Sequence, residues 1–211
     1  MSEEKTKVLL PALAEKKEAN IEFSKFKEEI EGKVVLLYGV PLVGKSIFCL
    51  TLSKLFEKSV LFLIDKNYPA EFFSINPKIQ VIDIDEPKQL DMYISKLPST
   101  DDQLVIIDSI TTLQTSFIRK DYWSARMVNE FNMFADKIAR ELHRLKPRTT
   151  SIMIAHEKLT DWEKKTVGPR VSWIVMRNMD LAYRMYQEDS TRKISLTHKR
   201  EVPKELKWVF E

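Results

Sequence analysis

The sequence predicts an α/β fold, a mainly parallel sheet flanked by helices, and three observations predict it. From residue 33 onward, short apolar runs alternate with helical patterns, as βαβ units require. The run Val34-Val35-Leu36-Leu37-Tyr38 leads into Gly39-Val40-Pro41-Leu42-Val43-Gly44-Lys45-Ser46, which fits G-x-x-x-x-G-K-[ST] with a strand before it and a helical pattern after it. The run Leu104-Val105-Ile106-Ile107 ends in Asp108, the pattern of a strand buried on both faces that delivers a carboxylate to the edge of the sheet.

Taken in order, residues 1–31 read as a charged arm and a short helix in which Ile21, Phe23, Phe26 and Ile30 recur at roughly helical spacing; residues 2–7 are expected to fray. Residues 34–38 form the first strand, 45–56 the helix after the loop, and 60–64 the second strand. Residues 79–84 read as another strand and 104–107 as a fully buried one. A long helix is predicted over 124–145, with Met127, Phe131, Phe134, Ile138, Leu142 and Leu145 on one face and Ser124 as its cap. Residues 152–155 are a further buried strand. Beyond residue 170, the segments 180–186, 193–197 and 206–210 resemble terminal strands, with a turn at Asp189-Ser190. Met176, Met179, Met185, Trp173 and Trp208 are expected to fill the core or an interface. The predicted organisation is an arm over 1–32 and a core over 33–211.

Composition narrows the classes. With 211 residues and 44% hydrophobic content, the chain can bury one substantial core, and two full domains are not expected. The 34 basic and 31 acidic residues leave a net charge of only +3, which does not by itself call for a polyanion partner. The charge is uneven, however: residues 1–32 are acidic on balance and the C-terminal third is basic. The single cysteine, Cys49, supports neither a disulfide nor a thiolate metal framework, so a reducing interior is expected. No apolar run approaches the ~18 residues of a membrane span, and the start Met-Ser-Glu-Glu-Lys does not read as a signal peptide, so a soluble, cytoplasmic protein without a membrane partner is expected.

The loop from Gly39 to Ser46 predicts nucleoside triphosphate binding. Its glycines let backbone N–H groups turn inward to cradle phosphates, Lys45 reaches the β- and γ-phosphates, and the Ser46 hydroxyl is a Mg²⁺ ligand. Gly39, Val40, Pro41, Leu42, Val43, Gly44, Lys45, Ser46 and Ile47 are therefore the candidate nucleotide-binding residues. Two of the four glycines in the chain lie in this stretch. Asp108 is placed to hold the water shell of the same ion. Asp65, which ends Leu61-Phe62-Leu63-Ile64, is a similar but weaker candidate. No Asn-Lys-x-Asp guanine signature is present, so ATP is favoured over GTP.

The order of phosphate loop, Ile64-Asp65 strand end, Ile106-Ile107-Asp108-Ser109-Ile110-Thr111, long helix, Ser151-Ile152-Met153-Ile154-Ala155-His156-Glu157 and Val167-Gly168 resembles the RecA-type recombinase core. It is most similar to archaeal RadA and its paralogues, with KaiC-like ATPases as near relatives. The resemblance runs from about Lys33 to the C-terminus, and its specific parts are the phosphate loop and the Asp-Ser-Ile-Thr strand end. It implies a RecA-like P-loop NTPase that binds ATP and Mg²⁺ between neighbouring subunits and uses the nucleotide to control DNA binding. Its partners would be single-stranded DNA and a recombinase or other paralogue, with homo-oligomers possible.

Departures from the family pattern shape the expectation. The family places a catalytic glutamate shortly after the second core strand, where this chain has Asp65-Lys66-Asn67. Asn67 cannot act as a base, so Asp65 or Glu71 must substitute or hydrolysis is slow. The helix–hairpin–helix module and the glycine-rich entry of full recombinases are missing from the sequence, so an accessory role in recombinational repair is expected rather than strand exchange.

The resemblance also implies a mobile DNA-binding loop over 157–170. Lys158, Trp162, Lys164, Lys165 and Arg170 there mix cations for phosphates with an aromatic face for a base, while Asp161 and Glu163 oppose them. A second candidate loop over 117–123 holds Arg119 and Lys120 beside Tyr122 and Trp123, two aromatics that more often staple a helix start than form a stacking platform. His156 matches the family's polar residue that senses the γ-phosphate. Lys199 and Arg200 lie where related ATPases extend a trans-acting finger into a neighbour's site. Two rival readings stand beside this one. A KaiC-like regulatory or assembly ATPase would bind ATP and protein partners without DNA. A small-molecule phosphotransferase would need an arginine-rich lid, where this chain is lysine-rich after Glu157.

Overall fold

The computed structural model describes residues 16–66, 68–117, 125–161, 166–189 and 191–200. Helix α1 spans Lys16–Ile30 and is followed by β1 (Val34–Gly39), α2 (Lys45–Leu52), a 3-10 turn at Ser53–Leu55 and β2 (Lys58–Leu63). A second 3-10 turn, Ala70–Ser74, precedes β3 (Gln80–Asp83) and α3 (Pro87–Lys96). Then come β4 (Gln103–Asp108), α4 (Ile110–Phe117), α5 (Ala125–Arg144) and β5 (Thr149–Asp161). The remaining elements are β6 (Thr166–Pro169), α6 (Trp173–Met176), β7 (Leu181–Glu188) and β8 (Thr191–Lys199).

The strands lie in the order β3-β2-β4-β5-β1-β7-β8, with β6 paired to β5 off this path. The pairs from β3 through β7 are all parallel, and β8 runs antiparallel to β7. The expected α/β fold with a mainly parallel sheet is present. Every residue of β1 and of β4 is buried, the reason both read as continuous apolar runs rather than alternating ones. Within them, side chains alternate between two cores. Val34, Leu36, Tyr38, Val105 and Ile107 face a cluster completed by residues of α3, α4, α5 and α6. Val35, Leu37, Leu104 and Ile106 face one completed by Ile30 of α1 and Cys49, Leu50 and Leu52 of α2, with Phe23 and Phe26 packed against it. The helices therefore cover both faces, as predicted.

Several local expectations are revised. The helix after the loop is α-helical only to Leu52 and tightens into a 3-10 turn. Helix α3 was not anticipated because it buries only Leu90 and Ile94, yet its start is encoded: Pro87 opens the first turn and the Gln89 side chain accepts from the Glu86 N–H at 3.2 Å. Helix α4 was also missed; its Thr- and Ser-rich sequence has low helical propensity, which the burial of Ile110 and Leu113 overrides. Ser124, the expected cap of α5, and the segment 206–210 lie outside the described residues. Trp173 does not fill the core: it is 69% exposed, whereas Met179 and Met185 are buried. Trp208 is outside the described residues. No helix among the described residues is long and apolar enough to cross a membrane.

The larger correction concerns residues 157–170. Among the described residues they are not a loop: β5 runs on past the sheet core to Asp161, and β6 pairs with it antiparallel, Lys158 opposite Gly168 and Leu159 opposite Val167, as a two-stranded ribbon. The strand was hidden from the sequence reading by Glu157, Lys158 and Asp161 in the outer part of β5, which break up the apolar pattern of its buried first half.

Candidate functional site

The phosphate-loop sequence closes the C-terminal end of β1, beside β5 and β7. Gly39 is required by packing, because a Cβ there would stand 2.2 Å from the Met185 carbonyl oxygen. Gly44 is required by conformation: at φ 102° it adopts the left-handed region and opens α2 without a side-chain cap. The backbone N–H groups of the first turn of α2 are thus left for an anion. Val43 is buried in the core below, while Val40, Pro41 and Leu42 lie outside, Leu42 being 97% exposed. Lys45 is only 5% exposed and folds back over the loop, its Nζ donating to the carbonyl oxygens of Gly39 at 3.0 Å and Val40 at 2.7 Å. Burial pushes its ammonium below the ordinary lysine value, against the opposing pull of the Asp108 and Glu157 carboxylates.

Asp108 ends β4 on the same edge and is 3% exposed. Its Oδ2 accepts a hydrogen bond from Ser46 Oγ at 2.6 Å and a second from the Tyr68 hydroxyl. Its backbone carbonyl accepts from Ile64 N at 2.7 Å and Asp65 N at 3.1 Å, which draws the chain after β2 alongside. Burial raises the Asp108 carboxyl above the usual carboxylate value, while the Ser46 and Tyr68 donors hold it back. Burial and the Asp108 charge likewise push the Tyr68 hydroxyl far above its ordinary value, so Tyr68 is a neutral donor. Tyr68 is the residue that sequence reasoning missed, since one tyrosine in a turn after a strand carries no motif. It is wedged between Phe72 and Phe73, with ring centroids 5.8 Å away in both cases.

A cavity of about 340 Å³ joins these parts, lined among others by Gly44, Lys45, Ser46, Asp65, Asp108 and His156. Ser46 and Asp108 offer the hard oxygen donors that Mg²⁺ takes, and a magnesium ion bound with a triphosphate needs only one or two such ligands. Among the described residues, no group of three or more His, Cys, Asp or Glu side chains could hold a metal ion by itself. The donor set therefore fits a metal that arrives with phosphate oxygens, and such an ion would neutralise developing charge on the phosphates.

The other candidates are distributed unevenly. His156 pairs with Gly39 in the β1–β5 register, and its backbone N–H donates to Thr111 Oγ1 of α4 at 2.9 Å. Burial, then the nearby Lys45 ammonium, lowers its pKa, which keeps the imidazole neutral at pH 7. Glu71 sits exposed on the second 3-10 turn and is not brought to the cavity lining, which leaves Asp65 and Asp108 as its carboxylates. Glu157 is held by Arg184 Nε at 2.9 Å.

Of the nucleic-acid candidates, Lys158 is exposed on β5 and Arg170 is exposed just beyond β6, while Trp162, Lys164, Lys165, Arg119 and Lys120 lie outside the described residues, as does Asn67. Lys199 pairs with Leu181, at the end of β7 remote from the loop, so Lys199 and Arg200 lie across the sheet from Lys45 in the same chain. The basic residue that the hairpin does bring to the loop is Arg192, whose Nε would be 3.2 Å from a Cβ on Gly44. No protein-family model matches this sequence, and no curated protein matches it significantly.

Proposed function

We propose that this chain binds ATP with Mg²⁺ and serves as a RadA-paralogue type accessory in homologous recombination, binding single-stranded DNA and hydrolysing ATP slowly. The observation that carries the reading is the 2.6 Å hydrogen bond between Ser46 and Asp108, 62 residues apart, at the edge of a parallel sheet where the Lys45 loop also opens. Doubly wound sheets bind ligands at this edge. Slow hydrolysis is expected because Asn67 stands where the family places its glutamate; beyond the metal-directed Asp108, Asp65 is the cavity-lining carboxylate that could orient a water in its place. The Arg170 N–H donates to the His156 carbonyl at 2.7 Å, which supports communication between a nucleotide sensor and the cationic ribbon.

The protein-partner alternative, a KaiC-like assembly ATPase without DNA, draws support from the exposure of Trp173 and Met133. Calorimetric titration with ATP and Mg²⁺ tests the common core of both readings. Lys45→Ala should weaken binding by about thirtyfold or more, since losing a buried charge partner costs ~2–5 kcal/mol. Unchanged affinity in that variant would refute nucleotide binding at this loop.

A further inference from the structure

Beside the triphosphate cavity lies a second, larger one of about 710 Å³. The two share Gly44 and Ile47, so they meet at the first turn of α2. The floor of the larger cavity is apolar. Phe23 of α1 stacks on Phe48 of α2 with ring centroids 5.0 Å apart, Phe26 meets Phe48 edge-on at 5.2 Å, and Met185 and Ile194 of the β7–β8 hairpin complete the lining. The polar groups lie at one side: Thr191, Arg192 and Lys193 at the start of β8. Lys193 is paired with Glu188, whereas Arg192 forms no ion pair among the described residues and leans against Gly44, its Cζ 3.3 Å from the position of a Cβ there.

We propose that this cavity takes the nucleoside half of the nucleotide, with its base on the Phe23–Phe48 floor and the Arg192 guanidinium at the junction of base and phosphates. The assignment rests on the triphosphate reading above and extends it. Small-molecule sites are concave, mostly apolar and oriented by a few polar groups, at volumes of about 300–1,000 Å³. A planar base gains by stacking on an aromatic surface whatever its edge pattern. A guanidinium suits the junction because its fork matches phosphate oxygens and its plane lies flat on an aromatic ring. The floor reads area more than hydrogen-bonding pattern, since the Thr51 hydroxyl is engaged with the Ile47 carbonyl at 2.9 Å. Helix α1 thereby becomes part of the ligand site instead of a separate arm.

The test titrates the full chain, in Mg²⁺, with ATP and separately with inorganic tripolyphosphate. The parent should bind ATP at least about tenfold more tightly than tripolyphosphate, and Phe23→Ala should weaken ATP alone, leaving tripolyphosphate within about twofold. A parent that binds neither probe refutes the triphosphate reading and this proposal with it. Equal affinity of the parent for both probes overturns the base cavity while leaving the phosphate loop intact, as does unchanged ATP affinity in Phe23→Ala. If Phe23→Ala binds neither probe, its fold is lost and the parent's ratio alone decides.

Discussion

Replacing Tyr68 with Phe removes one hydroxyl from the centre of the site and little else. The ring keeps its stacked contact with Phe73 and its edge contact with Phe72, so the turn after β2 retains its packing. What disappears is the donor to Asp108 Oδ2, the oxygen that Ser46 also holds. A hydrogen bond to a charged group contributes about 1.5–3 kcal/mol net. Without nucleotide, that interaction stabilises the fold, so Tyr68→Phe should lower the thermal midpoint by roughly 3–12 °C at ~2–4 °C per kcal/mol for a chain of this size. With Mg²⁺ and ATP the sign reverses. A metal that engages Asp108 must displace the tyrosine hydroxyl, and the variant no longer bears that cost, so its affinity for ATP with Mg²⁺ should rise by about tenfold or more. Thermal melts without ligand and calorimetric titrations at pH 7 read the two effects separately. Equal or weaker ATP affinity together with a lower melting point would refute the reasoning, because Tyr68 would then be a structural or ligand-contacting residue and not a competitor for Asp108.

Two further perturbations follow from the same geometry. Asp108 has its folded pKa raised by burial, so its ionised form is disfavoured by folding and costs stability above the unfolded value; Asp108→Asn should therefore melt at or above the parent at pH 7 while losing the Mg²⁺-dependent stabilisation by ATP, and a large loss of ligand-free stability would contradict this. By the same shift, parent Mg²⁺ binding should decline on acidification through a carboxyl titrating above the usual aspartate range, which a pH series of titrations checks. Lys158→Ala and Arg170→Ala should each reduce the salt dependence of single-stranded DNA binding by about one counterion, whereas Trp162→Ala, a change outside the described residues, should weaken binding with almost no change in slope. DNA affinity identical in all three variants would favour the protein-partner reading.

The sequence by itself determined the parts whose chemistry is local. A strand covered on both sides must be continuously apolar, so β1 and β4 were legible. A backbone at φ 102° before a helix wants glycine, so the loop announced itself through Gly44 and the Lys45-Ser46 pair beyond it. Asp108 was legible because an apolar run that ends in a carboxylate has few other places to put it than the sheet edge. What the tertiary structure alone decided is which distant residues meet. Tyr68 reaches Asp108 across 40 positions because β2 and β4 are neighbours in register, with Leu63 opposite Asp108. Arg192, and not Lys199 or Arg200, lies at the Gly39–Ser46 loop because β8 runs antiparallel to β7 and carries its far end to the opposite edge. The 157–170 ribbon likewise needed its partner strand to exist, since charged residues mask the alternation that would mark it. Periodicity specifies which face of an element is buried; strand order and register, set by the packing of the whole core, specify what each exposed or functional group faces.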